Sequence, residues 1–313
     1  MPKTRTGNKE VVRLAGPVTG RHSGGKDGVS MIIDGKKIAR VFPRKTKATP
    51  NDDLAFTGPL PRSILKAGGV DEVHVSVTFT YDIPKAEKLA KSWERLGVPV
   101  KIGGPAFGDR NGDFTPGLYV KKGMTFTSRG CPNKCWFCSV WKSCNGLREL
   151  EIKDGWNICD DNILATSEQH FRAVCEMLKR QPERPVFTGG IEARILKPWQ
   201  AKLMKEIKTK RLYCAYDTPD DLEPLIEAGK MLLDAGFTKA SHALRCYVLI
   251  GYKGDTFEKA ERRLIQTMQA GFVPYAMLYR NEKGEVDRTW QSFQREWCRP
   301  IIVGAKLKEY WKE

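Results

Sequence analysis

Between Met124 and Leu278 the sequence repeats one pattern six times: a short apolar, β-branched run, then a turn, with helix-period stretches separating the runs. The runs are Met124 to Ser128, Trp156 to Cys159, Pro185 to Thr188, Leu212 to Tyr216, Arg245 to Ile250 and Val273 to Leu278. Helical stretches include Ser167 to Arg180, Pro198 to Lys208, Pro219 to Ala235 and Thr256 to Ala270. Connections of this length suit parallel strands, which cannot be joined by tight hairpins. The pattern predicts an α/β fold with six parallel strands in an open, barrel-like sheet, a partial (β/α)6 arrangement. In such sheets functional residues collect at the carboxyl ends of the strands.

Upstream the text is different. Residues 1–60 are rich in Gly, Pro, Lys and Arg, and residues 1–50 carry 12 Lys or Arg against 3 acids, +9 of the chain's net +16. This reads as a basic arm with one short hairpin, Met31-Ile32-Ile33 and Ile38 to Phe42 flanking Asp34-Gly35. Residues 61–122 contain a strand around His74 to Phe79, a helical stretch from Pro84 to Leu96 and a second strand ending on Gly103-Gly104, a small Rossmann-like βαβ unit. The expected organisation is therefore an arm (1–60), this subdomain (61–122), the parallel sheet (123–290) and a C-terminal extension (291–313). No apolar run approaches the roughly 18 residues of a membrane span. With no signal-like apolar stretch behind the basic start, a cytoplasmic protein without membrane association is expected.

Nine cysteines in such a chain argue for metal or redox chemistry rather than a disulfide framework. Three of them, Cys131, Cys135 and Cys138, follow the first of the six strands in the string Thr127-Ser128-Arg129-Gly130-Cys131-Pro132-Asn133-Lys134-Cys135-Trp136-Phe137-Cys138. Three thiolates within eight residues can converge on one centre. They are soft ligands suited to an iron-sulfur cluster, and three of them leave one iron of a four-iron cube open to substrate. A structural zinc site would need a fourth ligand, such as Cys144 or a distant His, and usually a second paired unit, which the sequence lacks.

This C-x3-C-x2-C string, with Phe137 before the third cysteine, resembles the defining loop of the radical S-adenosylmethionine (SAM) superfamily. The resemblance implies a [4Fe-4S] cluster on Cys131, Cys135 and Cys138. SAM would chelate its open iron, and cleavage would give a 5′-deoxyadenosyl radical that abstracts hydrogen from substrate. It also implies a partial barrel and a flavodoxin- or ferredoxin-type reductant. For the SAM ammonium, family position points to Asp160 and Asp161 after the second strand, while Gly189, Gly190 and Glu192 follow the third and depart from Gly-Gly-Glu by one inserted residue. Phe137, Asp217 and Gly251 complete the implied SAM contacts. The unit before the cluster resembles a shortened form of the module found in cobalamin-dependent relatives. Because no Asp-x-His-x-x-Gly string surrounds His22, His74, His170 or His242, cobalamin is not expected.

The substrate is less constrained. Arg40, Arg44, Lys45 and Lys47 around Phe42 combine phosphate-neutralising cations with an aromatic, which points to a nucleic acid or nucleotide. Radical SAM proteins of similar length and basicity occur in bacteriophage pathways that modify or rearrange altered thymidines, so base modification or isomerisation is the implied reaction. Two other readings stand beside it: modification of a peptide or small metabolite, and a non-enzymatic, metal-containing nucleic-acid-binding protein. Cys144 and Cys298 lie in irregular stretches and are candidate hydrogen-atom donors, by similarity to a cysteine of the DNA-lesion lyases. Ordinary core packing is the competing role for both, and for Cys175 within its helical pattern.

Overall fold

The computed structural model describes residues 32–33, 35–61, 69–108, 114–281 and 283–311. The chain divides into two compact units, residues 1–122 and 123–313. Residues 1–31, with His22 and Met31, lie outside the described residues, as does Asp34.

The first unit is built on one sheet. Strands β1 (Ile32–Ile33), β2 (Lys36–Phe42), β3 (Ala55–Thr57) and β4 (Glu72–Ser76), helix α1 (Ile83–Trp93) and strand β5 (Val100–Gly103) follow in chain order. β1 runs antiparallel to β2 across a turn at Gly35, whereas β3 and β4 both pair parallel with β2, and β5 pairs parallel with β4. The segment expected to be an arm thus supplies the central strand of the same sheet as residues 72–103. Five consecutive residues of β2, Ile38 to Phe42, are buried, because helices and loops cover both faces of a parallel strand. Ala39, Val41, Val73, Val75 and Trp93 form the core beneath α1.

Burial of β2 corrects one expectation. Arg40 is fully buried, donates to the carbonyls of Gly117 (3.2 Å) and Leu118 (2.9 Å), and is ion-paired with Asp52. It is a structural clamp with no surface to offer a phosphate. Phe42 is likewise buried. His74 has a comparable role: its ring nitrogens meet the Tyr119 hydroxyl (2.6 Å) and the Glu72 carboxylate (2.7 Å). Burial alone would raise the Glu72 carboxyl, but hydrogen bonds from Lys101 and His74 bring it down to about 2.

The second unit carries strands β6 (Met124–Thr125) and β7 (Ser128–Arg129), helix α2 (Val140–Ser143), and strands β8 (Arg148–Glu149) and β9 (Asn157–Ile158). Then come α3 (Glu168–Lys179), β10 (Val186–Phe187), α4 (Pro198–Glu206), β11 (Arg211–Tyr216), α5 (Leu222–Asp234), β12 (Leu244–Ile250), α6 (Phe257–Gln269) and β13 (Val273–Leu278). Helices α7 (Arg288–Trp297) and α8 (Pro300–Tyr310) close the chain. Six strands form one parallel sheet in the order β6-β9-β10-β11-β12-β13, each beside its successor in this series. The first expected strand is interrupted: after β6 the chain turns away, and β7 pairs antiparallel with β8 outside the main sheet.

The helices begin where short polar side chains or prolines favour it. Ser167 caps α3 and Thr256 caps α6 through their side-chain oxygens, and Pro198 opens α4. Their apolar faces meet one face of the sheet, where Ile158, Phe187, Leu212, Cys214, Leu244, Cys246, Val248 and Ala276 are buried. Cys175 is in this core too. Trp297, Val303 and Leu307 bring α7 and α8 into the same core, so the expected extension, whose boundary at 290/291 falls inside α7, is part of the unit. Alternate residues point the other way. On that second face Tyr213 stacks on Tyr247 (centroids 4.6 Å apart) and Tyr247 meets Tyr275 edge-on (5.8 Å). No helix among the described residues is long and apolar enough to cross a membrane.

Candidate functional site

The cysteine string forms a loop whose two stems are β7 and β8. At its neck Gly130 has φ +88° and lies so close to Gly146 that a Cβ there would overlap the Gly146 carbonyl. Asp160, just past β9, braces the entry. Its buried carboxylate accepts from the Thr127 backbone N–H (2.6 Å), the Thr127 hydroxyl (2.6 Å) and the Ser128 hydroxyl (2.7 Å). Burial raises the Asp160 carboxyl, and these three donors work against that shift. Gly189, after β10, would drive a Cβ into the Asp160 backbone, so glycine is required there for β9 and β10 to end side by side.

Asp161 and Asn162 reach the loop itself. The Asp161 carboxylate accepts from the Gly130 N–H (2.8 Å). The Asn162 amide donates to Cys131 Sγ (3.5 Å) and to the Glu192 carboxylate (2.5 Å), linking a cysteine to the acid that follows Gly189-Gly190. Asn162 Oδ1 is buried without a partner among the described residues. Within the loop, Cys138 N–H turns back to the Cys135 carbonyl (3.1 Å), the Trp141 indole donates to the same carbonyl (2.9 Å), and the Val140 N–H approaches Cys138 Sγ (3.5 Å).

All three thiols are partly exposed. Burial pushes the Cys135 thiol up, and the charges of Cys138 and Cys131, followed by Asp217 and Asp221, push in the same direction. Cys135 is therefore within electrostatic reach of both other cysteines and of the β11 carboxyl end. Among the described residues no three His, Cys, Asp or Glu side chains stand closed around one point as a finished metal site. The thiols line a pinned loop instead.

The remaining strand ends contribute carboxylates and rings. Asp217 follows β11; burial, then the neighbouring Asp221, pushes its carboxyl up to about 7, against a backbone hydrogen bond at Leu249. Gly251 follows β12 with φ +73°, its N–H donated to Asp255 (2.8 Å) and its α-carbon packed under Trp290 and Leu278. Trp136 is 53% exposed. Its ring meets Phe137 (5.3 Å), Tyr252 beyond β12 (5.5 Å) and Tyr279 beyond β13 (5.9 Å). The loop after the first strand thus touches the ends of the last two.

Comparison with protein-family models and with curated proteins gave no match.

The fold brings together Cys131, Cys135, Cys138, Phe137, Asp161 and Glu192 around the loop, with Asp217 in electrostatic reach of Cys135. Three expected ligand contacts have other occupations: Asp160 is consumed by Thr127 and Ser128, Gly189 by backbone approach, and the Gly251 N–H by Asp255. Gly190, with φ +108° and open space about its α-carbon, is a turn residue. Cys144 is buried within the loop, whereas Cys298 packs against the helix-side core with its thiol toward the Ala276 carbonyl (3.7 Å), a structural position. Asn162 and Trp136 were not singled out as site residues from sequence. The signal for Asn162 is its place two residues after Asp160; for Trp136 it is an aromatic between two of the clustered cysteines.

Proposed function

We propose that this chain is a radical SAM enzyme acting on a nucleobase or modified nucleotide in DNA or RNA. The observation that carries the reading is the pinned loop: three thiols on one segment at the carboxyl end of the first of six sequential parallel strands, tied to the next strand ends through Asp160, Asp161 and Asn162. Soft thiol donors in mutual electrostatic reach fit a [4Fe-4S] cluster. Cys131, Cys135 and Cys138 would hold it. When bound, it would supply the electron that cleaves SAM to methionine and a 5′-deoxyadenosyl radical.

The protein's own residues do the positioning. Asp160 fixes the loop entry and Asn162 donates to the sulfur of Cys131, which stabilises a thiolate there. Glu192 and Asp161, both at the loop, would receive an ammonium beside their bonds from Asn162 and Gly130; Asp217 can hold a proton near neutral pH and so donate or accept at a hydroxyl. Phe137 offers a ring to an adenine. The sequential strand order, with Trp136 reaching from the first strand's loop to the last two strand ends, supports a sheet curled into a partial barrel. Its second face, lined by Tyr213, Tyr247 and Tyr275, would receive a planar base taken out of its stack. A flavodoxin- or ferredoxin-type protein would deliver the electron, and base modification or isomerisation is the reaction class.

The deciding experiment is anaerobic reconstitution with iron and sulfide, then dithionite and SAM, with 5′-deoxyadenosine quantified by chromatography. Wild type should release it and Cys135→Ala should not. No deoxyadenosine from a fully loaded, reduced protein would overturn the reading and assign the cysteines a structural metal.

A further inference from the structure

A separate concentration of recognition chemistry lies in the first unit, at the edge where β2 and β4 end. These strands run parallel with Val41 opposite Val75, so residues 44–47 and 78–81 leave the sheet at the same edge. There Phe79 and Tyr81 stack face to face, with centroids 5.2 Å apart and planes inclined by 7°. Phe79 is 38% exposed, in contrast to the buried Phe42. The Arg44 guanidinium lies 5.0 Å from the Tyr81 ring centre and 5.9 Å from that of Phe79. Buried Asp82 grips it through Nε (2.6 Å) and Nη2 (2.5 Å). Arg44, Lys45, Lys47, Thr78 and Thr80 are all exposed.

The combination is specific. Asp82 offsets the charge of one cation but orients it, leaving Nη1 for another partner, while Lys45 and Lys47 keep the edge net positive. An exposed aromatic ring, Phe79, backed by the half-buried Tyr81 and set beside such cations matches the alternation of flat bases and phosphates along an unpaired strand. A duplex hides its base faces, and an acidic peptide has none to stack. We propose that this edge is a binding platform for a single-stranded polynucleotide: bases stack on the Phe79 and Tyr81 pair, and phosphates meet Lys45, Lys47 and the outer edge of Arg44. The platform deepens the nucleic-acid part of the proposed function and needs neither the cluster nor SAM.

Binding of fluorescein-labelled oligo-dT and oligo-U of about 12 nucleotides, a length within one single-strand site, is read by anisotropy on the full chain without SAM or reductant. Both arms test the same chemistry, and the tighter one names the polymer. Phe79→Ala with Tyr81→Ala should weaken binding about tenfold or more, and Phe79→Trp should retain it. Lys45→Ala and Lys47→Ala should each lower the slope of log K against log salt by about 0.7. The proposal is overturned if the double aromatic variant, folded by circular dichroism, binds as wild type. Equal binding of a duplex or of an oligoglutamate peptide overturns it as well, as does no binding to either oligonucleotide. Because the readout is independent of deoxyadenosine release, failure here and failure of the radical chemistry are told apart.

Discussion

Both units gather chemistry at the carboxyl edge of a parallel sheet, but they hold it by different means. In the second unit the loop is pinned by buried hydrogen bonds to Asp160, by backbone approaches at Gly130 and Gly189, and by Asn162 bridging Cys131 and Glu192. In the first unit the exposed edge rests on one ion pair, Arg44 to Asp82, and one ring stack. Ligands that must converge on one centre demand a rigid frame, because a small displacement of a thiol forfeits coordination. A surface that meets a flexible strand tolerates movement.

The comparison breaks most readily at Asp160. Asp160→Ala strands two buried hydroxyls and one N–H, so a loss of about 3 to 5 kcal/mol is expected in urea denaturation, and under the proposed function iron loading on reconstitution should fall with it. Gly130→Ala should cost about 3 kcal/mol, since its Cβ meets backbone, whereas Gly190→Ala, strained in φ but free of contacts, should cost about 1. Equal costs would show that the neck is not rigid.

Asp217 offers a pH test. Its folded carboxyl, near 7, lies above its unfolded value, so the native state binds the extra proton and stability falls as pH rises from about 4 to about 7. Asp217→Asn removes the penalty. Its advantage over wild type in thermal melts should already be present at pH 5 and grow by about 2 to 3 kcal/mol between pH 5 and pH 8. A constant difference across that range would place the Asp217 pKa near its ordinary value. Asp82→Ala should also have a small effect, about 1 kcal/mol, because the released Arg44 is half exposed and solvated. A loss as large as that of Asp160→Ala would erase the distinction between the two edges.

Much of the second unit was legible in the sequence because its signals are local. Period-2 and period-3.6 patterns identified the six runs and their helices, and capping residues such as Ser167 and Thr256 stood at the expected starts. Where reading failed, the missing quantity was burial. Arg40 and Arg44 are indistinguishable as basic residues near Phe42, yet β2 carries one through the core and releases the other beyond its end. Phe79 and Tyr81 carry no such signal in sequence, because a run ending at Phe79 reads as strand although the strand stops at Ser76.

Asp160 and Asp161 show the same limit within a dipeptide. Adjacent residues leaving a strand point in opposite directions, so one carboxylate is spent on Thr127 and Ser128 while the other reaches Gly130. By itself the sequence determined the α/β alternation and the spacing of three cysteines after a strand, because both are properties of neighbouring residues. Only the tertiary structure decided which acids, amides and rings surround that loop and which cations reach the surface. Those roles depend on distant partners, 30 residues away for Asn162 and Glu192 and 78 for Arg40 and Leu118, and no local pattern encodes them.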